Sequence, residues 1–239
     1  MADSKKARIW DWTVGAALAA LAALVYFLSM ASYAYPGESA HLQVVWRGLD
    51  AAASTPYPLM AFFARPLGCG NAIAPVLGVL AVLLLYACTL KFMRRNIFGE
   101  DVDAMAAPVS RVAGAAAALV FLFTPAVRSA ATHLEPRLFD AVWALLCAAT
   151  LLAYVGASSR RRAYLFLVLL GALAAAGFCD SVLFVVLMPV AIFIVIRTEL
   201  FSGRSPYAAP ALLLGVFLVA VFVFLTAFGI MLFGFGNQT

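Results

Sequence analysis

Charged side chains are scarce in this sequence of 239 residues. Asp, Glu, Lys and Arg together make up 11 % of it, whereas hydrophobic residues make up 66 %. A water-soluble domain has about 25 % charged residues. The composition therefore excludes an ordinary soluble globular protein and predicts an integral membrane protein that lies in a lipid bilayer.

The sequence also lacks the alternation of apolar and polar residues that is typical of membrane β-barrels. Its apolar residues form long continuous runs, and a helical span needs about 20 of them. We therefore predict an all-α integral membrane protein with about seven transmembrane helices. The apolar segments cover approximately residues 12–34, 72–92, 109–127, 138–155, 164–177, 182–196 and 211–233.

The fifth and sixth of these segments are short, and Asp180 separates them. A single kinked helix is one interpretation, and a tight helical hairpin is the other. The stretch from Tyr164 to Ile196 is too long for one span even with strong tilt. The hairpin is therefore the preferred interpretation.

Cysteine and histidine are rare as well, with four and two residues. They do not have the paired Cys/His spacing of a zinc site. The formal net charge is +5, but its basic residues lie in short segments between apolar runs, which does not favour binding to nucleic acid. A divalent cation held by carboxylates is the one cofactor that the sequence leaves open.

The distribution of Lys and Arg predicts the orientation of the spans. Cytoplasmic loops carry an excess of both residues. Clusters occur at the N-terminus and in alternate connections, namely Lys5, Lys6 and Arg8; Lys91, Arg94 and Arg95; Arg160, Arg161 and Arg162; and Arg197 and Arg204. We expect a multi-pass protein of the inner (plasma) membrane, with a cytoplasmic N-terminus and the C-terminus outside.

The longest polar stretch is the connection over residues 35–71, which this orientation places on the outer face. Within it, residues 58–66 are apolar but too few to span a bilayer. Such a segment is typical of a helix that lies in the interface or re-enters the membrane. We treat residues 1–239 as a single polytopic membrane domain, and a truncation of a longer protein after Thr239 is an open alternative.

Ionisable residues are concentrated on the predicted outer face. At membrane depth such residues are costly and are functional candidates. Asp140 and Asp180 also have a structural interpretation, because each could cap the helix that follows it. The candidate site residues are Glu38, His41, Asp50, Arg65, Arg128, His133, Glu135, Arg137, Asp140 and Asp180.

This set of residues has the parts needed for glycosyl transfer from a lipid carrier. A carboxylate at the membrane boundary can act as a general base towards an acceptor hydroxyl. Arginines can hold a phosphate through paired charge-assisted hydrogen bonds. The apolar helices supply a groove for a lipid tail.

Several short motifs resemble the GT-C superfamily of membrane glycosyltransferases, in particular a bacterial branch of unknown function related to protein O-mannosyltransferases. Gly37-Glu38-Ser39 is similar to the acidic motif that follows the family's first span. Thr55-Pro56-Tyr57-Pro58-Leu59, with Phe62-Phe63-Ala64-Arg65 after it, resembles its proline-rich re-entry. Thr132-His133-Leu134-Glu135-Pro136-Arg137 and Arg137-Leu138-Phe139-Asp140-Ala141 resemble motifs at the start of its fourth helix.

The resemblance implies a fold like the conserved membrane module of that superfamily and a polyprenyl-phosphate sugar as donor. It implies that Glu38 and Asp140 are catalytic, and that the other candidates bind the donor phosphate, the acceptor or an ion. Two other functions stay open. The chain could bind or transport a polyprenyl-phosphate lipid without catalysis, or it could be an assembly subunit of the membrane.

Overall fold

A computed structural model of the chain describes residues 2–32, 38–47, 57–67, 71–96, 106–202 and 206–227. Every regular element in these ranges is a helix. Ten α-helices follow one another, and a 3₁₀ turn over Arg65–Leu67 follows the third. The helices are α1 (Ala2–Leu28), α2 (Glu38–Trp46), α3 (Pro58–Ala64), α4 (Ile73–Asn96), α5 (Ala106–Phe123), α6 (Pro125–Ala130), α7 (Pro136–Val155), α8 (Arg160–Phe178), α9 (Leu183–Phe201) and α10 (Ala208–Ala227).

Seven of these helices are long and apolar enough to cross a membrane: α1, α4, α5, α7, α8, α9 and α10. No more than half of the residues in each apolar stretch are buried inside the protein, and in α10 only 17 % are. A soluble protein rarely exposes such large apolar surfaces to water. The chain is a multi-pass, all-α membrane protein, as the sequence predicts.

The third predicted span extends to Val127, whereas α5 ends at Phe123. The cause is Pro125, because proline disfavours a helical conformation in the residue before it. Thr124 accordingly has extended backbone angles of φ −61° and ψ 125°. Pro125 then opens the short helix α6, and the chain turns before α7 begins.

The predicted hairpin around Asp180 is confirmed. Helix α8 ends at Phe178 and α9 begins at Leu183. Helix α8 starts with a regular cap, since the Ser159 side chain accepts a hydrogen bond from the Arg162 N–H. The short apolar segment within the first connection is also helical, and it forms α3 and the 3₁₀ turn.

The chain forms two compact units. The first consists of Met1–Ser54 and Phe63–Leu145, and the second of Thr55–Phe62 and Leu146–Thr239. In the first unit, α1, α4 and α5 pack together around the buried ring of Tyr26, whose hydroxyl donates to the Leu122 carbonyl at 3.2 Å. In the second, α8, α9 and α10 pack together, and Gly171 allows the close approach of Val216.

Candidate functional site

The turn between α6 and α7 brings together three of the predicted site residues. One carboxylate oxygen of Glu135 lies 3.8 Å from His133 Nε2, and the other lies 3.8 Å from Arg137 Nε. The side chains of His133 and Glu135 are largely shielded, whereas that of Arg137 is 87 % exposed. We call His133, Glu135 and Arg137 the turn cluster.

The local sequence explains this turn. Pro136 opens α7, a position where the missing N–H of proline has no cost. Glu135 directly precedes it, so its negative charge lies at the positive end of the helix dipole. The backbone of the turn is also fixed to the end of α1, because the Ala31 N–H donates to the Thr132 carbonyl at 2.9 Å.

A chain of hydrogen bonds extends from this turn to α2. The amide of Asn71 donates to the Ala31 carbonyl at 3.0 Å. Asn71 in turn accepts a 2.8 Å hydrogen bond from the buried Gln43 side chain on α2. These contacts connect α2 to the turn that holds the turn cluster. Helix α2 begins at Glu38 and carries His41. The sequence motifs do not single out Gln43 or Asn71.

An open groove of about 390 Å³ adjoins the turn cluster. Arg128 and the hydroxyl residues Ser29, Ser129 and Thr132 line it, together with Phe123 and Pro125. Ser29 and Thr132 donate their hydroxyl hydrogens to backbone carbonyls at 2.6 and 2.8 Å. The exposed guanidinium of Arg128 is therefore the group in this groove best suited to donate several hydrogen bonds to an anion.

Asp140 does not cap α7. That helix begins at Pro136, so Asp140 is its fifth residue, and the capping effect is confined to the first turn. The side chain of Asp140 is half-buried. In the sequence, Asp140 lies between two residues of an aromatic cluster. Ring centroids of Phe139 and Trp143 lie 5.6 Å apart, and Phe63 lies 6.2 and 5.9 Å from them.

Asp180 does not cap α9 either. Residue Val182 is the N-cap of that helix and makes no side-chain cap bond. Both carboxylate oxygens of Asp180 instead accept backbone hydrogen bonds at the start of α3, from Leu59 N–H and Met60 N–H at 2.8 Å each. Asp180 therefore caps a helix, as the sequence suggests, but this helix begins about 120 residues earlier in the chain.

The other predicted site residues are spread over the first connection. Arg65 lies in the 3₁₀ turn after α3, and His41 lies on α2; both are exposed. Glu38 is the first residue of α2, but its side chain lies outside the described part of the structure, as does the whole of Asp50. The contacts predicted for these two carboxylates stay predictions.

The sequence reasoning overlooked a tight charged cluster near the start of the apolar part of α1, the end of α4 and the start of α5. The Asp11 carboxylate accepts a bidentate pair of hydrogen bonds from Arg94 at 2.8 and 2.7 Å, and a third from Arg111 Nε at 2.7 Å. Arg94 also donates to the fully buried Ser110 hydroxyl at 3.1 Å. We call Asp11, Arg94 and Arg111 the helix-end cluster. The available signal was an acid between two tryptophans at the start of an apolar run.

A second overlooked carboxylate lies in the other compact unit. Glu199 on α9 is only 4 % exposed and accepts a 2.6 Å hydrogen bond from the Tyr154 hydroxyl. A buried acid in a membrane span needs such a partner, because an unpaired charge there is very costly. In the sequence, Glu199 lies within Arg197-Thr198-Glu199 and therefore resembles part of a charged loop.

The described residues contain no group of three or more His, Cys, Asp and Glu side chains placed to hold a metal ion. The turn cluster supplies two such residues.

Comparison with known proteins gives no further assignment. No protein-family model matches the chain, and neither a curated protein nor a solved structure is significantly similar to it.

Proposed function

We propose that this protein is a membrane glycosyltransferase that moves a sugar from a polyprenyl-phosphate carrier to an acceptor at one face of the membrane. One observation carries the proposal. The turn cluster places a histidine, a carboxylate and an exposed arginine next to the Arg128 groove, because Thr132 lines that groove and His133 follows it directly.

The two arginines have the chemistry to hold the donor phosphate. Guanidinium groups donate paired hydrogen bonds to phosphate oxygens. Arg128 would contact one side of the phosphate from the groove, and Arg137 would reach it from the start of α7. Arg65 is a third exposed guanidinium of the same compact unit. The negative charge that develops on the leaving phosphate is stabilised by these cations.

Glu38 is the proton acceptor in this proposal. The hydrogen bonds through Gln43 and Asn71 tie α2 to the turn, which supports a place for Glu38 close to the turn cluster. The acceptor hydroxyl oxygen attacks the anomeric carbon of the sugar, and the bond from that carbon to the phosphate oxygen breaks. The carboxylate takes the hydroxyl proton while the polyprenyl phosphate leaves with the bonding electrons.

The remaining candidates orient the substrates. Glu135 and Asp140 are carboxylates that can accept hydrogen bonds from sugar or acceptor hydroxyls. His41 and Asp50, both in the first connection of the sequence, complete the polar set. The apolar, lipid-facing surfaces of the seven spans suit the isoprenoid tail of the donor.

The excess of Lys and Arg at the N-terminus and in alternate connections supports a plasma-membrane protein with its N-terminus in the cytoplasm. The turn cluster then faces outward, together with the connection between α1 and α4. Transfer would occur at the outer face, in the cell envelope, where lipid-linked sugars reach acceptors that have left the cytoplasm.

The test is sugar transfer by purified protein reconstituted in lipid nanodiscs. Polyprenyl-phosphate mannose with a radiolabelled sugar serves as the donor probe, and water or a Ser/Thr-containing peptide serves as the acceptor. We expect release or transfer of label, and a loss of at least about 100-fold in Glu38→Gln, since general base catalysis contributes roughly that much. The exposed Arg161→Ala on α8 is the control for a change outside the site.

Other outcomes separate the alternative functions. Binding of the donor without turnover, sensitive to Arg137→Ala but not to Glu38→Gln, would replace the enzyme by a lipid-phosphate binding or transport protein. Neither binding nor turnover by folded protein would contradict both functions and favour an assembly subunit. Full activity in Glu38→Gln would remove Glu38 from the mechanism.

A further inference from the structure

The start of helix α3 has an unusual backbone conformation. Tyr57, the residue before it, has a positive φ of 50°, which is rare for a residue with a side chain. Pro58 has no N–H, so the first backbone donors that need an acceptor are those of Leu59 and Met60. The Tyr57 carbonyl accepts a hydrogen bond from the Ala61 N–H at 2.9 Å.

Asp180 caps the start of α3 from a distant part of the chain. Its two carboxylate oxygens accept one hydrogen bond each from these two donors, both at 2.8 Å. Leu59, Met60 and Ala61 are buried, so their backbone is shielded from water that could replace the carboxylate. Hydrogen bonds to a charged group are the stronger kind.

The helix capped in this way is short and leads into the turn that holds Arg65. Phe63 belongs to α3, and its ring contacts Phe139 and Trp143 of α7. Arg65 follows in the adjoining 3₁₀ turn. A helix of seven residues is not stable by itself, since isolated helices need about 12–15 residues. Its position therefore depends on contacts with the rest of the protein.

We infer that Asp180 is a positioning residue, whose carboxylate fixes the start of α3 and through this helix contributes to sugar transfer. The role in transfer rests on the proposed function, whereas the fixing of α3 does not. Asp180 acts through the backbone N–H groups of Leu59 and Met60 on α3.

Amide hydrogen exchange in detergent tests the fixing of α3 directly. We expect the peptide covering residues 57–64 to exchange at least tenfold faster in Asp180→Ala, with α9 unchanged. Asp180→Asn keeps one acceptor oxygen and should show an intermediate rate, and it serves as the readout if the alanine variant does not fold. Unchanged exchange over residues 57–64 would overturn the inference.

Ser181→Ala is the matched control. The Ser181 hydroxyl accepts a hydrogen bond from the Leu183 N–H at 3.3 Å, so this neighbouring residue supports α9 and not α3. Its substitution should leave exchange over residues 57–64 at the wild-type rate. Faster exchange there in Ser181→Ala would show that any change in the α8–α9 turn loosens α3, and would overturn a specific role for Asp180.

The transfer assay separates this inference from the proposed function. Transfer rates should fall in the order wild type, Asp180→Asn, Asp180→Ala, with donor binding retained. If the wild type transfers no sugar but the exchange of α3 responds as expected, the proposed function fails and the fixing of α3 stands. If α3 loosens while transfer continues at the full rate, the role of Asp180 in the reaction is refuted.

Discussion

The helix-end cluster and the turn cluster each join one carboxylate to basic side chains, but their geometries differ. Around Asp11 the contacts to Arg94 and Arg111 are 2.7–2.8 Å and form direct hydrogen bonds. Around Glu135 both contacts are 3.8 Å, too long for hydrogen bonds, and one partner is 87 % exposed. The first arrangement uses its donors and acceptors to hold three helices together, whereas the second leaves Arg137 accessible to a ligand.

The largest effect on stability should come from Asp11→Asn. This change leaves two partly shielded guanidinium groups beside a neutral amide. We expect a loss of about 2–3 kcal/mol in the free energy of unfolding, between the values typical of exposed and fully buried ion pairs. Thermal unfolding in a mild detergent, followed by the fraction that remains monodisperse, measures this loss.

Glu135→Gln is the matched variant in the turn cluster. Because its contacts are long, we expect its unfolding midpoint to stay close to that of the wild type. Equal losses of stability in Asp11→Asn and Glu135→Gln would break the distinction between the two clusters.

The closely packed backbone of α4 should tolerate less change than the side chains of the turn cluster. A Cβ at Gly78 would lie 2.7 Å from the Tyr26 ring and 2.9 Å from the Ala131 Cβ. Gly78→Val should therefore destabilise the protein by about 1–3 kcal/mol through overpacking. Gly215→Ala is the control, since no atom lies within 4 Å of the added Cβ and alanine favours the helix. Equal unfolding midpoints for these variants would contradict the packing of α4 against Tyr26.

The electrostatic effect of Asp180 can be measured on the thiol of the neighbouring residue. Burial, and then the negative charge of Asp180, raise the pKa of Cys179 to about 11. Cys179 should therefore react slowly with iodoacetamide at pH 8, because little thiolate is present. Removing the adjacent charge in Asp180→Asn lowers the pKa and increases the thiolate fraction.

We expect alkylation of Cys179 at pH 9 to be faster in Asp180→Asn, by less than tenfold because burial is the larger cause of the raised pKa. Peptide mass spectrometry after a timed reaction measures the modified fraction. Slower alkylation in Asp180→Asn would contradict the electrostatic effect of Asp180 on this thiol.

The smallest effect on stability should come from Arg137→Ala. An exposed side chain with one long contact contributes little to folding, so the unfolding midpoint should stay within error of the wild type. The expected consequence is on binding, where the variant loses one donor to the lipid phosphate. A destabilised Arg137→Ala protein would mean that the turn cluster is structural, like the helix-end cluster.

Local sequence patterns predict the seven spans and the hairpin at Asp180, because hydrophobic length and turn residues determine both. They also predict the short helix after Tyr57, and they name His133, Glu135 and Arg137 as site candidates within one short motif. They do not predict contacts between distant residues. The bonds of Asp180 to Leu59 and Met60, and those of Asp11 to Arg94 and Arg111, join helices far apart in the sequence.

The central claim is that the turn cluster and the Arg128 groove bind a lipid phosphate, and native mass spectrometry tests it most directly. The protein is purified in a mild detergent, with polyprenyl phosphate added as the probe. We predict bound lipid in the wild type, a loss of at least tenfold in affinity in both Arg128→Ala and Arg137→Ala, and wild-type binding in Arg95→Ala, which removes an exposed arginine of α4. Equal binding by all four folded proteins, or binding by none of them, would contradict the claim.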